Sequence, residues 1–270
     1  MIAKPDIGKF TKIEIVKLTI KKNKMNLKNK VVIITGASSG IGKATAMKLA
    51  KEGASIVLCA RSEDELNTLK DSIVKNGGKA MVVKTDVTKP SDFKKAISQT
   101  LDAYGSIDVL VNNAGLMPLS YVEKLKTDEW EKMVDVNIKG VFNGVAAVLP
   151  TMRKNKGGHI INISSSAAHN YFPGGAVYCA TKIAVKMFSE GLRKELAPKY
   201  GIKVTSIEPG AVDTSLFESI TDEDIKEKLK EMQKMTKLEA EDIADAIFYA
   251  LNQPDRVNIN DVYLMPTEQG

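Results

Sequence analysis

From Lys30 onward, short β-branched runs alternate with longer amphipathic stretches, and this alternation constrains the fold more than any other feature of the chain. The apolar runs predict strands at 31–35, 55–59, 80–85, 109–112, 159–164, 203–207 and 261–265, several of them apolar at consecutive positions, as when both sheet faces are covered. Helical patterns fall at 41–52, 63–76, 91–104, 128–153, 176–199 and 239–252, with Pro90 and Asp128 near starts and Gly53, Gly77 and Gly201 at ends. Repeated strand-helix units predict an α/β fold, a doubly wound parallel seven-stranded sheet with helices on both faces. With no repeat, low-complexity tract or linker in 270 residues, one domain is the economical reading. The stretch 214–237 is charged and helical in pattern, has no strand of its own, and is expected to form a lid.

A net charge of +6 invites a nucleic-acid reading, but the charge is concentrated at one end. Residues 1–30 hold nine lysines against two acids, which leaves the other 240 residues at a net −1. That distribution, without basic and aromatic residues interleaved further on, predicts no nucleic-acid partner. The leader, residues 1–26, is read either as an unstructured extension or as the product of an upstream start with Met25 as the true initiator. It lacks the apolar stretch and small-residue cleavage site of a secretory signal, and no run approaches the length of a membrane span. Cys59 and Cys179 fit no paired spacing, and two histidines with two scattered cysteines form no metal-site pattern. The expectation is a cytoplasmic protein without a metal.

Directly after the first predicted strand comes Thr35-Gly36-Ala37-Ser38-Ser39-Gly40-Ile41-Gly42, followed by a helical run from Lys43. Glycines let the backbone approach a pyrophosphate, and a helix N-terminus offers it free N–H groups. The spacing matches the general dinucleotide fingerprint loosely, and a ligand-free turn is the alternative. The second strand ends Leu58-Cys59-Ala60-Arg61. Ala60 stands where an acid would bond a ribose 2′-hydroxyl, and Arg61 offers a planar fork suited to a 2′-phosphate, so NADP is favoured over NAD. A solvated surface arginine is the competing account of Arg61.

Tyr178 and Lys182 lie four residues apart on one face of a predicted helix, which alone is weak evidence. Its weight comes from Ser165, thirteen residues upstream at a strand end, and from Asn137 in a predicted helix. Together with Thr35–Gly42, Asn112-Asn113-Ala114-Gly115 and Pro209-Gly210, these residues make the chain from Leu27 to its end resemble the short-chain dehydrogenases/reductases, in their single-domain branch of Rossmann type. Residues 257–262 and Met265-Pro266-Thr267 are similar to the subgroup that includes 3-hydroxy acid and serine 3-dehydrogenases.

The resemblance implies an NADP-dependent oxidoreductase that interconverts a small alcohol and its carbonyl. Tyr178 would be the general acid/base, Lys182 the ammonium that lowers the phenol pKa, Ser165 the anchor of the substrate oxygen, and Asn137 the holder of a water beside Lys182. For the cofactor it implies Gly36, Ser38, Ser39, Gly40, Ile41, Gly42 and Arg61, then Asp86 and Val87 at the adenine, and Asn113, Ala114 and Gly115 at the adenosine ribose. Tyr178 and Lys182 also face the cofactor, and Pro209, Gly210, Val212 and Thr214 form the nicotinamide-side loop. Of two adjacent serines, spacing to Tyr178 selects Ser165, with Ser164 on the other side of the strand. Specificity is expected from 116–121, 167–175 and the lid, where Met117, Phe172, Phe217 and Met232 would line an apolar pocket and His169 and Tyr171 would add polar contacts. His159 reads as a structural histidine. A homotetramer is favoured over a dimer because the helices at 128–153 and 176–199 resemble those that pair in the family. Two other readings stand beside this one: a non-catalytic NADP(H) sensor, disfavoured by an intact residue set, and a sugar-nucleotide epimerase, disfavoured by the missing C-terminal domain.

Overall fold

The computed structural model describes residues 27–269, without the side chains of 231–234; the basic leader lies outside them. Seven parallel strands form one sheet: β1 (Val31–Thr35), β2 (Ser55–Ala60), β3 (Lys79–Lys84), β4 (Val109–Asn112), β5 (Gly158–Ile163), β6 (Ile202–Pro209) and β7 (Asp261–Leu264). Their order is β3-β2-β1-β4-β5-β6-β7, so the chain reverses direction across the sheet between β1 and β4. In such sheets ligands bind beyond the strand C-termini at this switch point.

Alternate residues of each strand feed two separate cores. Val32 and Ile34 join Ile56, Leu58, Val109 and Val111 under α1 (Gly40–Lys51), α2 (Glu63–Lys75) and α8 (Ala240–Leu251). Val31 and Ile33 join Val57, Leu110 and Ile160 under α3 (Pro90–Tyr104), α5 (Gly140–Asn155) and α6 (Ala176–Tyr200). Covering both faces removes the polar-apolar alternation of a one-sided sheet, which is why the strands read as continuous apolar runs.

One sequence expectation changes. The single helix expected over 128–153 is interrupted: α4 (Thr127–Val134) passes through a five-residue π turn, Asp135–Lys139, into α5. The reason is tertiary, since Asn137 at the turn's centre is buried and bonded to two other segments. The segment expected to form a lid consists of a 3-10 turn, Ser215–Ser219, and α7 (Glu223–Lys234), and its ends are joined by a bridge between Val212 and Leu238. Among the described residues, no helix is long and apolar enough to cross a membrane.

Candidate active site

The turn after β1 is held open by what surrounds it. Gly36 adopts φ +62, and a Cβ there would meet Ala114 Cα at 2.8 Å. At Gly42 a Cβ would lie 2.2 Å from the Gly36 carbonyl oxygen. Asn113 ties the two sides together, donating from its amide to the Thr35 and Gly36 carbonyls at 3.0 Å each. Thr35 Oγ1 accepts from the backbone N–H of Asn113 and Ala114. Asn113 therefore acts chiefly on the turn itself.

Helix α1 begins at Gly40 with no side chain of the described residues capping it and no acid in its first turn, so its N–H groups and dipole face the turn uncompensated. Ser38, Ser39 and Ile41 are all at least partly exposed there. This arrangement fits an anionic dinucleotide phosphate. Arg61 is exposed at the end of β2, and its charge helps hold Asp86 below the usual carboxylate range; partial burial opposes this, and bonds from the Thr88 hydroxyl and N–H are the main lowering cause. Val87 is buried, its carbonyl bonded by Asn143 at 2.9 Å.

On the far side, Pro209 ends β6 and Gly210 donates to the Leu264 carbonyl at 2.8 Å. A Cβ on Gly40 would lie 3.0 Å from Thr214, so the start of the lid closes against the start of α1. Thr214 also accepts from Leu216 N–H, and Val212 is buried.

Between these two sides the remaining residues converge. Tyr178 is buried, and burial pushes its phenol up to about 12 against the opposing hydrogen bond of Ser165. Lys182 is buried one turn along, its Nζ 5.7 Å from the Tyr178 ring centre and donating to the Ile163 carbonyl at 2.9 Å. Burial pushes that ammonium down to about 8. Burial of the phenol thus acts against the lowering expected from a neighbouring ammonium. The Ser165 hydroxyl accepts from Ala167 N–H at 3.1 Å, whereas Ser164 donates to the Lys182 carbonyl at 2.8 Å, so the two hydroxyls just beyond the end of β5 have different partners.

Asn137 clamps the turn at Leu116 from both ends, accepting from its N–H and donating to its carbonyl at 2.9 Å, and donates also to Thr181 Oγ1. A Cβ on Gly115 would lie 3.4 Å from Asn137 Oδ1 and 3.7 Å from Lys182 Nζ, so all three meet at one point.

Around Tyr178 lies a third apolar cluster: Met117, Leu119, Ile220 and Ile225 are buried in it, with Phe172 and Phe217 packed alongside. The Met232 side chain lies outside the described residues. The two expected polar contributors do not both turn inward. Tyr171 is 68% exposed, and His169 bonds the carboxylate of Glu208. Sequence reasoning also missed Asp222, which caps α7 and accepts from Ser120 Oγ at 3.0 Å and Tyr121 N–H at 3.3 Å, latching the lid to the loop after β4. The run Thr221-Asp222-Glu223-Asp224 carried a readable capping signal. Among the described residues, no group of three or more His, Cys, Asp or Glu side chains could hold a metal ion.

Comparison with known proteins gives consistent matches. The family model for short chain dehydrogenases matches residues 30–225. An uncharacterized oxidoreductase of Staphylococcus saprophyticus is 48% identical over 245 residues, 90% of this chain and 98% of that one, and another from Listeria monocytogenes is 48% identical over 246 residues, 91% and 99%. Among solved structures, the closed form of a serine dehydrogenase complexed with NADP+ superposes with a TM-score of 0.81 at 33% identity, covering 89% of this chain and 96% of that one. An alcohol dehydrogenase from the archaeon Thermococcus sibiricus, complexed with 5-hydroxy-NADP, superposes with a TM-score of 0.79 at 28% identity, covering 89% and 98%.

Proposed function

Because the chain belongs to the short-chain dehydrogenase/reductase family of oxidoreductases, we propose that it uses NADP(H) to interconvert a small alcohol and its carbonyl. The observation that carries this reading is the meeting of Ser165, Tyr178 and Lys182 beside Gly115, between the glycine turn and the lid. Bound there, the nicotinamide would supply the hydride donor or acceptor. The glycine turn and the start of α1 would hold the pyrophosphate, and Arg61 the 2′-phosphate. Neighbouring structures whose descriptions name NADP support that choice.

A phenol near 12 is protonated at neutral pH, the form that donates to a carbonyl oxygen during reduction. Ser165 holds that oxygen with a second hydrogen bond. The phenolate left behind is stabilised by Lys182, whose ammonium lies 5.7 Å from the ring centre. Asn137 sets the turn at Gly115 and Leu116 beside Lys182, with both N–H groups of its amide already engaged.

Similarity to serine dehydrogenases favours a 3-hydroxy acid as the alcohol. Residues 27–270 form the catalytic unit, and 1–26 are an extension outside it. We also read the chain as a homotetramer in the cytoplasm: Phe142 on α5 and Ile183 and Met187 on α6 are 41%, 46% and 57% exposed and offer an apolar face for a second copy.

The test is purified full-length protein with NADP+ and L-serine or 3-hydroxybutyrate, and with NADPH and ethyl acetoacetate or short aldehydes, followed at 340 nm. Turnover that prefers NADP(H) over NAD(H) is expected. Tight NADPH binding without turnover in either panel would establish the sensor reading instead. Ketone and aldehyde reduction with no hydroxy acid oxidation would remove the acid substrate alone.

A further inference from the structure

One buried charge stands outside the residues assigned so far. Glu208 is the penultimate residue of β6, directly before Pro209-Gly210, and its side chain is 0% exposed. Burial would push its carboxyl up, but bonds from Lys186, His169 and Ser206 hold it below the usual range. A buried carboxylate is costly unless fully paired, and here it is: Oε2 meets Lys186 Nζ at 2.9 Å and His169 Nε2, while Oε1 accepts from Ser206 Oγ at 2.8 Å.

The partners come from the elements that carry the reacting residues. Lys186 follows Lys182 by one turn and Tyr178 by two, so the three share a stripe on α6. His169 follows Ser165 by four residues, across a 3-10 turn in which Ala168 N–H bonds the Ser165 carbonyl at 3.0 Å and His169 N–H the Ser166 carbonyl at 2.9 Å. The His169 ring also packs against Tyr263 of β7, with ring centres 4.5 Å apart. Two backbone bonds within this one short turn join His169 to Ser165.

We propose that Glu208 is a positioning residue: it ties the substrate loop through His169 and the catalytic helix through Lys186 to β6, and thereby fixes Ser165 relative to Tyr178. This rests on the roles proposed above for Ser165 and Tyr178.

The experiment compares Glu208→Gln, His169→Ala, His169→Gln, Lys186→Met and Lys186→Arg in the full-length protein. Three quantities are measured: NADPH affinity by fluorescence, kcat and KM for ethyl acetoacetate reduction, and hydrogen exchange at the amides of residues 167–170. Glu208→Gln should lower kcat about tenfold, roughly a 1.4 kcal/mol rise in barrier, with NADPH affinity within twofold of wild type. Loop exchange should quicken about tenfold in Glu208→Gln, His169→Ala and Lys186→Met, by the same conversion. Lys186→Arg and His169→Gln, which keep a donor toward Glu208, should retain both kcat and protection. Unchanged kcat and exchange in Glu208→Gln overturn the proposal, as does a loss of NADPH affinity that matches the loss of kcat. If Glu208→Gln does not fold, the milder loop change His169→Ala decides by the same readings. A wild-type protein inert toward every substrate defeats the proposed function, and the exchange measurements then still decide whether Glu208 holds the loop.

Discussion

The half of the site at the ends of β1, β2 and β4 and the half at the ends of β5 and β6 are built from different materials. The first is mostly backbone: a glycine turn, an uncapped helix start, and Asn113 stapling the turn to its neighbour. The second is mostly side chains: a buried phenol and ammonium, a carboxylate latch at Asp222, a carboxylate clamp at Glu208, and an apolar lining shared between lid and loops. Backbone geometry suits a ligand part that never changes, such as a pyrophosphate. Side chains allow a pocket to be retuned while the turn stays as it is.

Substitutions should respect that division. Tyr178→Phe removes the proposed proton donor and leaves the turn intact, so kcat should fall by about 10²- to 10⁴-fold with NADPH affinity within twofold. Fluorescence titration beside steady-state rates checks this, and an equal loss of affinity would break the comparison. In the other half, Gly42→Ala puts a Cβ 2.2 Å from the Gly36 carbonyl. It should lower stability by about 1–3 kcal/mol, and weaken NADPH binding, as melting and titration would show. Arg61→Ala touches neither the turn nor Tyr178. It should raise KM for NADPH about tenfold, roughly 1.4 kcal/mol, and leave NADH unaffected; an unchanged preference would remove Arg61 from the cofactor site.

The smallest effect concerns Lys182, whose folded pKa of about 8 lies below the ordinary 10.5. Above pH 8 the unfolded chain therefore binds more protons at this residue than the folded one, and stability rises with pH. Cys59, pushed from 9.0 up to about 12 by burial, works in the opposite sense above pH 9, so the net gain from these two groups is confined to the interval from 8 to 9. It amounts to less than about 1.4 kcal/mol, a melting shift of a few degrees. The shift should shrink in Lys182→Met.

Much of this was legible in the chain. The strands showed because a sheet covered on both faces leaves continuous apolar runs, and the glycine turn because its residues act through backbone freedom at fixed spacing. The choice of Ser165 over Ser164 rested on its spacing to Tyr178. The π turn at Asn137 was not legible, since its helical pattern runs unbroken from α4 into α5 and only Leu116 and Thr181 create the need for it. Nor does a loop reading His169-Asn170-Tyr171 reveal which ring turns inward. Glu208 is just as opaque, because a glutamate near a strand end reads as a surface residue until Lys186 and His169 arrive from elsewhere. His159 remained a structural residue, bonding Thr205 through one nitrogen at 2.8 Å and lacking a partner for the other among the described residues.

Periodicity and glycine placement, both local properties, were enough to determine the parallel sheet and the glycine turn after its first strand, while motif order carried the family resemblance from which the reacting residues are proposed. The tertiary structure alone decided in which direction burial shifts Tyr178 and Lys182 and what holds them, because desolvation depends on everything packed around a group and not on its sequence neighbours. It thus raised the Tyr178 phenol where a nearby lysine led one to expect the reverse, and it placed Glu208 at the joint between loop and helix.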